Sequence, residues 1–521
     1  MGIRVREELC IGCSLCQLAC PYDAIAVHVV ARVDNARCTD CMACIDYCPT
    51  DALSGLVSFD AVVIGSGMGG LCAAARLTQR GYRTLVLEKA PSLGGRFSAF
   101  QHDGVKMNNG AFWLETGGIL EETFRQVGAE FDVVIPHPQY RYWVRGRTVE
   151  VGEGAGMLRR ALLGVSANTE LAAQILEALK EGIQGRLPPP EVSLRQWVGA
   201  IAGDREGPQA RVGRVLEDIQ GVFQAITVTM LGPNAHELPA ADFLLFLSKA
   251  AARGREFGYA RKGGLHMMRE LARAVARPGR LAGPGGPGTE GGQVWTQAEA
   301  RRILVEEGRA AGVLVQRKGQ PWEVRAPIVI SNAGPRQTAA LAGPENMRQD
   351  YLAELEAKAR PLPQLIFSIE SDRPLLDFGG TLYTVGTQRV CAIWGPTTVA
   401  NEWAPPGVHL TEVTAALTDC NPPYDWEHEL GLALQDLDEI LPGWRQHGRL
   451  GATICMQDEY PFARSWAGCE VPVETPIPNL FNVGDGVRAL GWSGLPSCAE
   501  TAQRAVALIE ERFPLARLRA P

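Results

Sequence analysis

The 521-residue chain has no uninterrupted apolar run near the ~18 residues that a membrane-spanning helix needs. Its opening stretch, MGIRVREELC, lacks the apolar core of a secretory signal, and the chain reads as cytoplasmic. No lysine/arginine run stands out, and a net charge of −7 leaves no electrostatic footprint of a nucleic-acid binder. The 14 cysteines do not indicate structural disulfides, because a reducing cytosol keeps thiols free. None of the eight histidines sits in a motif; His102, His236 and His266 read as structural or exposed. The composition, 46% hydrophobic and 21% charged, is that of an ordinary globular protein. The stretch ADFLLFLSKAAARG (241–254) reads as a buried amphipathic helix, with a peripheral membrane contact as the alternative.

What is present is concentrated at the front. Cys10, Cys13, Cys16 and Cys20 precede Pro21, and Cys38, Cys41, Cys44 and Cys48 precede Pro49. Each member of the second set lies 28 residues after its counterpart (10 to 38, 13 to 41, 16 to 44, 20 to 48), and the flanks repeat as CPYDAI and CPTDAL. This is an internal duplication. Three thiolates at two-residue intervals can wrap one metal cluster on a tight loop, while the fourth, before proline, points away. Zinc knots are the alternative; they share the C-x2-C spacing but seldom the third cysteine or the trailing proline. The other six cysteines, scattered from Cys72 to Cys498, read as small buried apolar residues.

The doubled C-x2-C-x2-C-x3-C-P run resembles the bacterial two-cluster ferredoxins. That resemblance implies one [4Fe–4S] cluster on Cys10, Cys13, Cys16 and Cys48 and a second on Cys38, Cys41, Cys44 and Cys20. So short a domain has little core, so the clusters should hold it together.

After LSGLVS (53–58), read as a short joint, comes FDAVVIGSGMGGLCAAARLTQRGYRTLVLEK. A strand runs into Gly65-x-Gly67-x-x-Gly70, then an alanine-rich helix, then a second strand ending at Glu88. Gly65 serves the tight turn, Gly67 the approach of a pyrophosphate and Gly70 close helix–strand packing, with Glu88 placed for a ribose hydroxyl. The phosphates would rest on the helix N-terminus. No second fingerprint is present, so a nicotinamide cofactor is not supported.

The segment KAPSLGGRFSAF, with Gly94-Gly95-Arg96 after the acid, resembles the phytoene desaturase and amine oxidase branch of FAD-dependent oxidoreductases. GGLHMMRELARAV (263–275), the strand pair within 291–315, IVISNAGP (328–335) and LFNVGDGVRALGWSGLPS (480–497) extend the likeness over residues 60–510. The resemblance implies an FAD site of Gly65, Gly67, Met68, Gly69, Gly70, Glu88, Lys89, Gly94, Gly95, Arg96, Ala300, Asn332, Gly484, Asp485 and Gly494. Two positions depart from it. Ala300 stands where relatives usually carry a valine whose backbone meets the adenine, and Asn108-Asn109-Gly110-Ala111 stands where desaturases often carry an acid before Gly-Pro.

The implied architecture has three parts. An α+β ferredoxin-like domain occupies 1–55. A discontinuous Rossmann-type α/β FAD domain, of the two-dinucleotide-binding-motif flavoprotein kind, takes 56–120, 255–340 and 465–521. An α+β substrate domain takes 121–254 and 341–464. The stretches 186–193 and 283–292 read as loops. The implied chemistry is hydride transfer between FAD and a carbon–carbon bond of an apolar, isoprenoid- or polyene-like molecule. The clusters would pass single electrons to or from an external carrier. Two alternatives stand beside it: an electron-transfer subunit serving a partner redox enzyme, and a redox-neutral isomerase. No catalytic acid or base is legible; Phe112, Trp113 and Trp492 are candidate cavity aromatics or ordinary core.

Overall fold

The structure is a computed structural model and describes residues 2–39, 41–152, 156–166, 168–203, 209–251, 256–277 and 291–518. Most of the expected 283–292 loop, residues 283–290, lies outside the described residues.

The strands Ala61–Ile64 and Thr84–Leu87 are buried at every position, which only a sheet covered on both faces allows. They lie in a five-stranded parallel sheet ordered Gln293–Trp295, Thr84–Leu87, Ala61–Ile64, Val329–Ser331, Leu480–Asn482. The alanines of helix Met68–Gln79 let helices Gly264–Ala276 and Gly494–Arg512 pack closely on it. This is a Rossmann-type α/β domain assembled from segments far apart in the chain.

A seven-stranded mixed sheet takes its strands from 140–150 and 364–456. Period-2 alternation gives it two apolar faces. Leu365, Phe367, Val413 and Ala415 meet Leu437 of helix Trp426–Ile440. Tyr383, Trp394 and Leu410 join a core shared with helices Thr169–Ile183, Gln209–Met230 and Ala240–Ala251. Phe243 and Leu244 of the last helix are buried in that core. Among the described residues, no helix is long and apolar enough to cross a membrane.

The expected joint at 53–58 is a strand. Leu53–Ser58 pairs antiparallel with Gly2–Val5 of the front domain and parallel with Gln320–Arg325, far along the chain. A single five-stranded sheet thus runs from the cysteine-rich domain through Arg309–Arg317 to Ala298–Glu306. The boundary anticipated at 55/56 falls inside this strand. The composition of LSGLVS, with small residues between apolar ones, suits a strand whose backbone another element approaches closely, which is why it reads as a joint in sequence. Side chains reinforce the seam. Buried Glu323 accepts from Arg4 and Arg325, and Gln320 Nε2 donates to Asp46 Oδ1 at 3.0 Å. Met42 packs against the cores of both domains.

Candidate functional site

The duplication survives as backbone geometry. Ser14 and Met42 each take the left-handed conformation (φ 62° and 63°) before the short helices Leu15–Ala19 and Ala43–Asp46. Asp23 and Asp51 repeat the device at φ 51° and 52°. Two hollows result. One is lined by Cys10, Cys13, Cys16 and Cys48; the other by Cys20, Cys38, Cys41 and Cys44. Each hollow thus gathers three cysteines of one repeat and the last cysteine of the other.

The donor set fits a metal cluster. Backbone N–H groups of Ala31, Ala52 and Ala24 donate to Sγ of Cys10, Cys48 and Cys20 at 3.3, 3.2 and 3.3 Å. Burial, with neighbouring thiols, pushes Cys44 up to about 12, and burial raises Cys16. Four thiolates in such a place need a cationic centre between them. Among the described residues, the His/Cys/Asp/Glu trio drawn within 4.8 Å is Glu130–His266–Glu270, so the cysteine sulfurs stand farther apart. A zinc tetrahedron with Zn–S near 2.3 Å would bring its sulfurs to ~3.8 Å.

The glycine turn is equally closed. Gly65 has φ +93°, and a β-carbon on Gly70 would stand 2.1 Å from the Gly65 carbonyl oxygen. Ser66 donates from its backbone N–H and its hydroxyl to Glu88 Oε2 at 2.9 and 2.6 Å, and Ala90 N–H donates to Oε1 at 2.8 Å. Gly67 bridges to Gly94, and a β-carbon on Gly69 would meet the Gly484 backbone at 2.8 Å. The Asn332 amide lies against Gly67, Gly69 and Gly484 together. Arg96 forms a two-pronged pair with Asp485 (3.0 and 2.6 Å) and also donates to the carbonyls of Pro461 and Phe462. Burial opposes ionisation of Asp485, but Arg96 and then Arg464 outweigh it and hold the carboxyl well below the usual range. Burial and the neighbouring Arg96 push the Arg464 guanidinium down to about 10. Two guanidiniums facing one buried carboxylate leave surplus positive charge, which suits a pyrophosphate.

Known proteins share both halves of this arrangement. A 4Fe-4S dicluster domain model matches residues 9–52, and an NAD(P)-binding Rossmann-like domain model matches residues 63–127. The chain is 31% identical over 297 residues to the zeta-carotene-forming phytoene desaturase of Myxococcus xanthus (52% of this chain, 53% of that one). It is 25% identical over 333 residues to the all-trans-retinol 13,14-reductase of Rattus norvegicus (57% of this chain, 50% of that one). It therefore spans about half the length of these two relatives. An oxidoreductase crystal structure from Methanosarcina mazei superposes with a TM-score of 0.72 at 24% identity, over 87% of this chain and all of that one, which shows a shared fold. The chain is similar to phytoene desaturase-like FAD-dependent oxidoreductases and carries a match to a 4Fe–4S dicluster domain at its front.

In this oxidoreductase the fold gathers residues 65–70, 88, 94–96, 332 and 484–485 around the turn. Met68 turns its side chain into the core, so only its backbone is available to a ligand. Lys89 is exposed. Ala300 pairs with Val315 on the strand Ala298–Glu306, while Ala298 N–H meets the Glu88 carbonyl at 2.8 Å. Gly494 opens helix Gly494–Arg512 at φ +56°. The loop before it is tied to helix Ala240–Ala251, where Asp242 accepts from Gly491 N–H at 2.6 Å and from Gly468 N–H at 2.8 Å. His102 and His236 are exposed, and His266 faces Glu130 at 3.2 Å. Phe112 is buried and Trp113 half-buried, and both rings pack against Tyr259.

Sequence reasoning missed Glu412. It lies in the middle of strand His409–Ala415, 2% exposed, and its Oε1 accepts from Asn108 Nδ2 at 2.7 Å. Burial pushes the carboxyl up to about 7, opposed by the Asn108 bond. The signal available in sequence was a single glutamate in the apolar run HLTEVTAAL, indistinguishable from a solvent-facing strand residue until the sheet was known to be covered on both sides.

Proposed function

We propose that the protein moves a hydride between FAD and a carbon–carbon bond of an apolar, polyene- or isoprenoid-like substrate, and exchanges electrons singly with an external carrier through two [4Fe–4S] clusters. One cluster is assigned to Cys10, Cys13, Cys16 and Cys48, the other to Cys20, Cys38, Cys41 and Cys44. FAD, when bound, supplies a two-electron hydride acceptor or donor that can also be reoxidised or reduced one electron at a time. The chain's residues do the rest. The turn at Gly65–Gly70 and the N-terminus of helix Met68–Gln79 would receive the pyrophosphate, Glu88 a ribose hydroxyl, and Arg96, Asp485 and Gly484 would border the middle of the cofactor.

One observation carries this reading: the strand Leu53–Ser58 belongs to the cysteine-rich domain and the FAD-domain sheet at once. A domain built into the same sheet holds its metal centre at a fixed distance from the flavin site, as an internal electron path needs. The names of the relatives, a phytoene desaturase and a retinol reductase, support a polyene as the molecule acted upon.

A second observation favours the reading as an electron-transfer component. Ile11, Leu18 and Val29 of the cysteine-rich domain are 67%, 82% and 81% exposed, and Ile11 lines the same hollow as exposed Cys13. A β-carbon on Gly12 would stand 2.6 Å from the Val29 carbonyl oxygen, so the chain next to Ile11 runs close to Val29. Such apolar surface suits a redox protein docking over the cluster.

Anaerobic purification decides between these. About eight irons and one FAD per chain, with all-trans-retinol or phytoene converted by the reduced or oxidised protein, supports the enzyme. A stoichiometric redox partner and no polyene turnover supports the component. Zinc in place of iron overturns both.

A further inference from the structure

The reading above leaves the proton unassigned: breaking two C–H bonds to make a C=C bond releases a hydride and a proton. We propose that Glu412 is the catalytic residue that takes this proton in desaturation and returns it in saturation. The inference rests on the proposed hydride transfer and names the group that completes it.

Position comes first. Glu412 pairs in register with Trp394 on one side and Ser368 on the other, so all three side chains leave the same face of the seven-stranded sheet. That face meets the segment 105–112: Ser368 Oγ lies 3.5 Å from Met107 Sδ, Phe112 packs edge-on against Trp394 at 5.1 Å, and Asn108 reaches Glu412 itself. The same segment is fastened to the Gly95–Arg96 turn. Asn109 N–H donates to the Ser98 carbonyl and Ala111 N–H to the Arg96 carbonyl, both at 3.0 Å, and Tyr460 Oη bridges the Asn109 and Gly95 carbonyls. Glu412 therefore stands one side chain away from the strip assigned to the flavin.

Pairing comes second. Several other buried carboxylates are held by cations or by backbone N–H groups. Asp485 is held by Arg96, Glu323 by Arg4 and Arg325, and Glu429 by Arg389. Asp436 takes the backbone N–H groups of Gln388, Arg389 and Val390. Glu412 has no such partner: among the described interactions, no lysine, arginine, histidine or backbone N–H reaches it. Its single hydrogen bond comes from a neutral amide, and Oε2 receives none. From the strand Phe257–Ala260 the phenol of Tyr259 is the one titratable group that faces it, and that hydroxyl is engaged with the Gly379 carbonyl. Burial pushes the carboxyl to about 7, where a group is equally ready to accept and to give a proton at neutral pH.

The step balances. In desaturation a hydride leaves one carbon for FAD, and the C–H electron pair of the adjacent carbon becomes the new π bond. The proton left behind passes to the ionised Glu412 carboxylate. The substrate is oxidised and FAD reduced by two electrons. Saturation runs the same transfers backwards from protonated Glu412.

The test compares wild-type, Glu412→Gln and Glu412→Asp holoprotein prepared anaerobically, with FAD and iron content confirming that each has folded. Reduced-minus-oxidised infrared difference spectra should show a protonated-carboxyl C=O band near pH 6 that fades by pH 8 and is absent from E412Q. With all-trans-retinol or phytoene as probe, kcat should fall ~100-fold or more in E412Q with KM little changed, and E412D should recover part of it. An E412Q enzyme with the wild-type rate and pH profile, or wild-type spectra without that band, overturns the proposal. If neither polyene reacts with the wild type, the substrate reading fails on its own, and the infrared band still decides whether Glu412 senses the flavin.

Discussion

Gly55 lies so close to Trp322 that a β-carbon on it would stand 2.6 Å from the indole ring. The two residues are register partners on the neighbouring strands Leu53–Ser58 and Gln320–Arg325, and so belong to the cysteine-rich domain and the FAD-domain portion. Trp322 in turn packs edge-on against Trp295, whose carbonyl accepts from Glu88 N–H at 2.8 Å. The seam thus leads from the cluster domain to the acid of the glycine turn in three contacts.

Gly55→Val should force Trp322 out of its seat. Overpacking of this kind costs about 1–3 kcal/mol. The expected outcome is an earlier thermal transition for the front domain, with iron and FAD still bound. Stopped-flow reduction should slow for the flavin relative to the clusters. An unchanged melting profile would place the seam's strength elsewhere.

Asp485→Asn leaves the Arg96 guanidinium without its partner at a half-buried site. Breaking such a pair costs on the order of 3 kcal/mol. The carboxyl is held below its usual range, so its stabilisation is fully present above about pH 4 and disappears as the pH falls further. Denaturant unfolding of wild type should therefore steepen in its pH dependence below that point. The Asn variant should lack this component and lose FAD on gel filtration.

Glu412 has the opposite sign. Its folded pKa, about 7, lies above the ordinary carboxyl value, so the fold binds a proton that the unfolded chain has released. Stability attributable to it is complete below about pH 4.5 and falls as the pH rises through 7. Replacing it by Gln should make the protein more stable than wild type at pH 8, by an amount on the order of 3 kcal/mol. At pH 5 the difference should shrink, as thermal melts at the two pH values will show.

The crossed arrangement of cysteines is open to a double-mutant experiment. Cys10→Ala with Cys48→Ala should remove one cluster, leaving about four irons, because both sulfurs line one hollow. Cys38→Ala with Cys48→Ala should remove both. The reverse pattern in iron content and EPR would mean that each repeat closes on its own cluster.

Much of this architecture was legible in the chain. The doubled cysteine run and the strand–glycine–helix–acid series are local signals, because a cluster loop and a phosphate turn are each built from consecutive residues. Arg96 and Asp485, almost 400 positions apart in the sequence, were each readable as cofactor residues, but their pairing was not. Two things escaped because they depend on contacts between distant segments. LSGLVS looks like a joint until its neighbour at 320–325 is known, since its small residues serve that neighbour's ring. Glu412 looks like a surface acid until the sheet is seen to be covered on both faces. Ala300 was placed by analogy, and it lies on the strand whose first residue, Ala298, donates its N–H to the Glu88 carbonyl.

The shared sheet also constrains how the chain can be cut or made. Removing residues 1–58 would not free an independent flavoprotein. It would bare the hydrogen-bonding edge of Gln320–Arg325, a template for unwanted strand pairing. During synthesis the front domain's central strand must wait, half-partnered, until the ribosome has delivered residue 325. A cell short of iron would consequently be expected to lose the flavin half of the molecule along with the metal half.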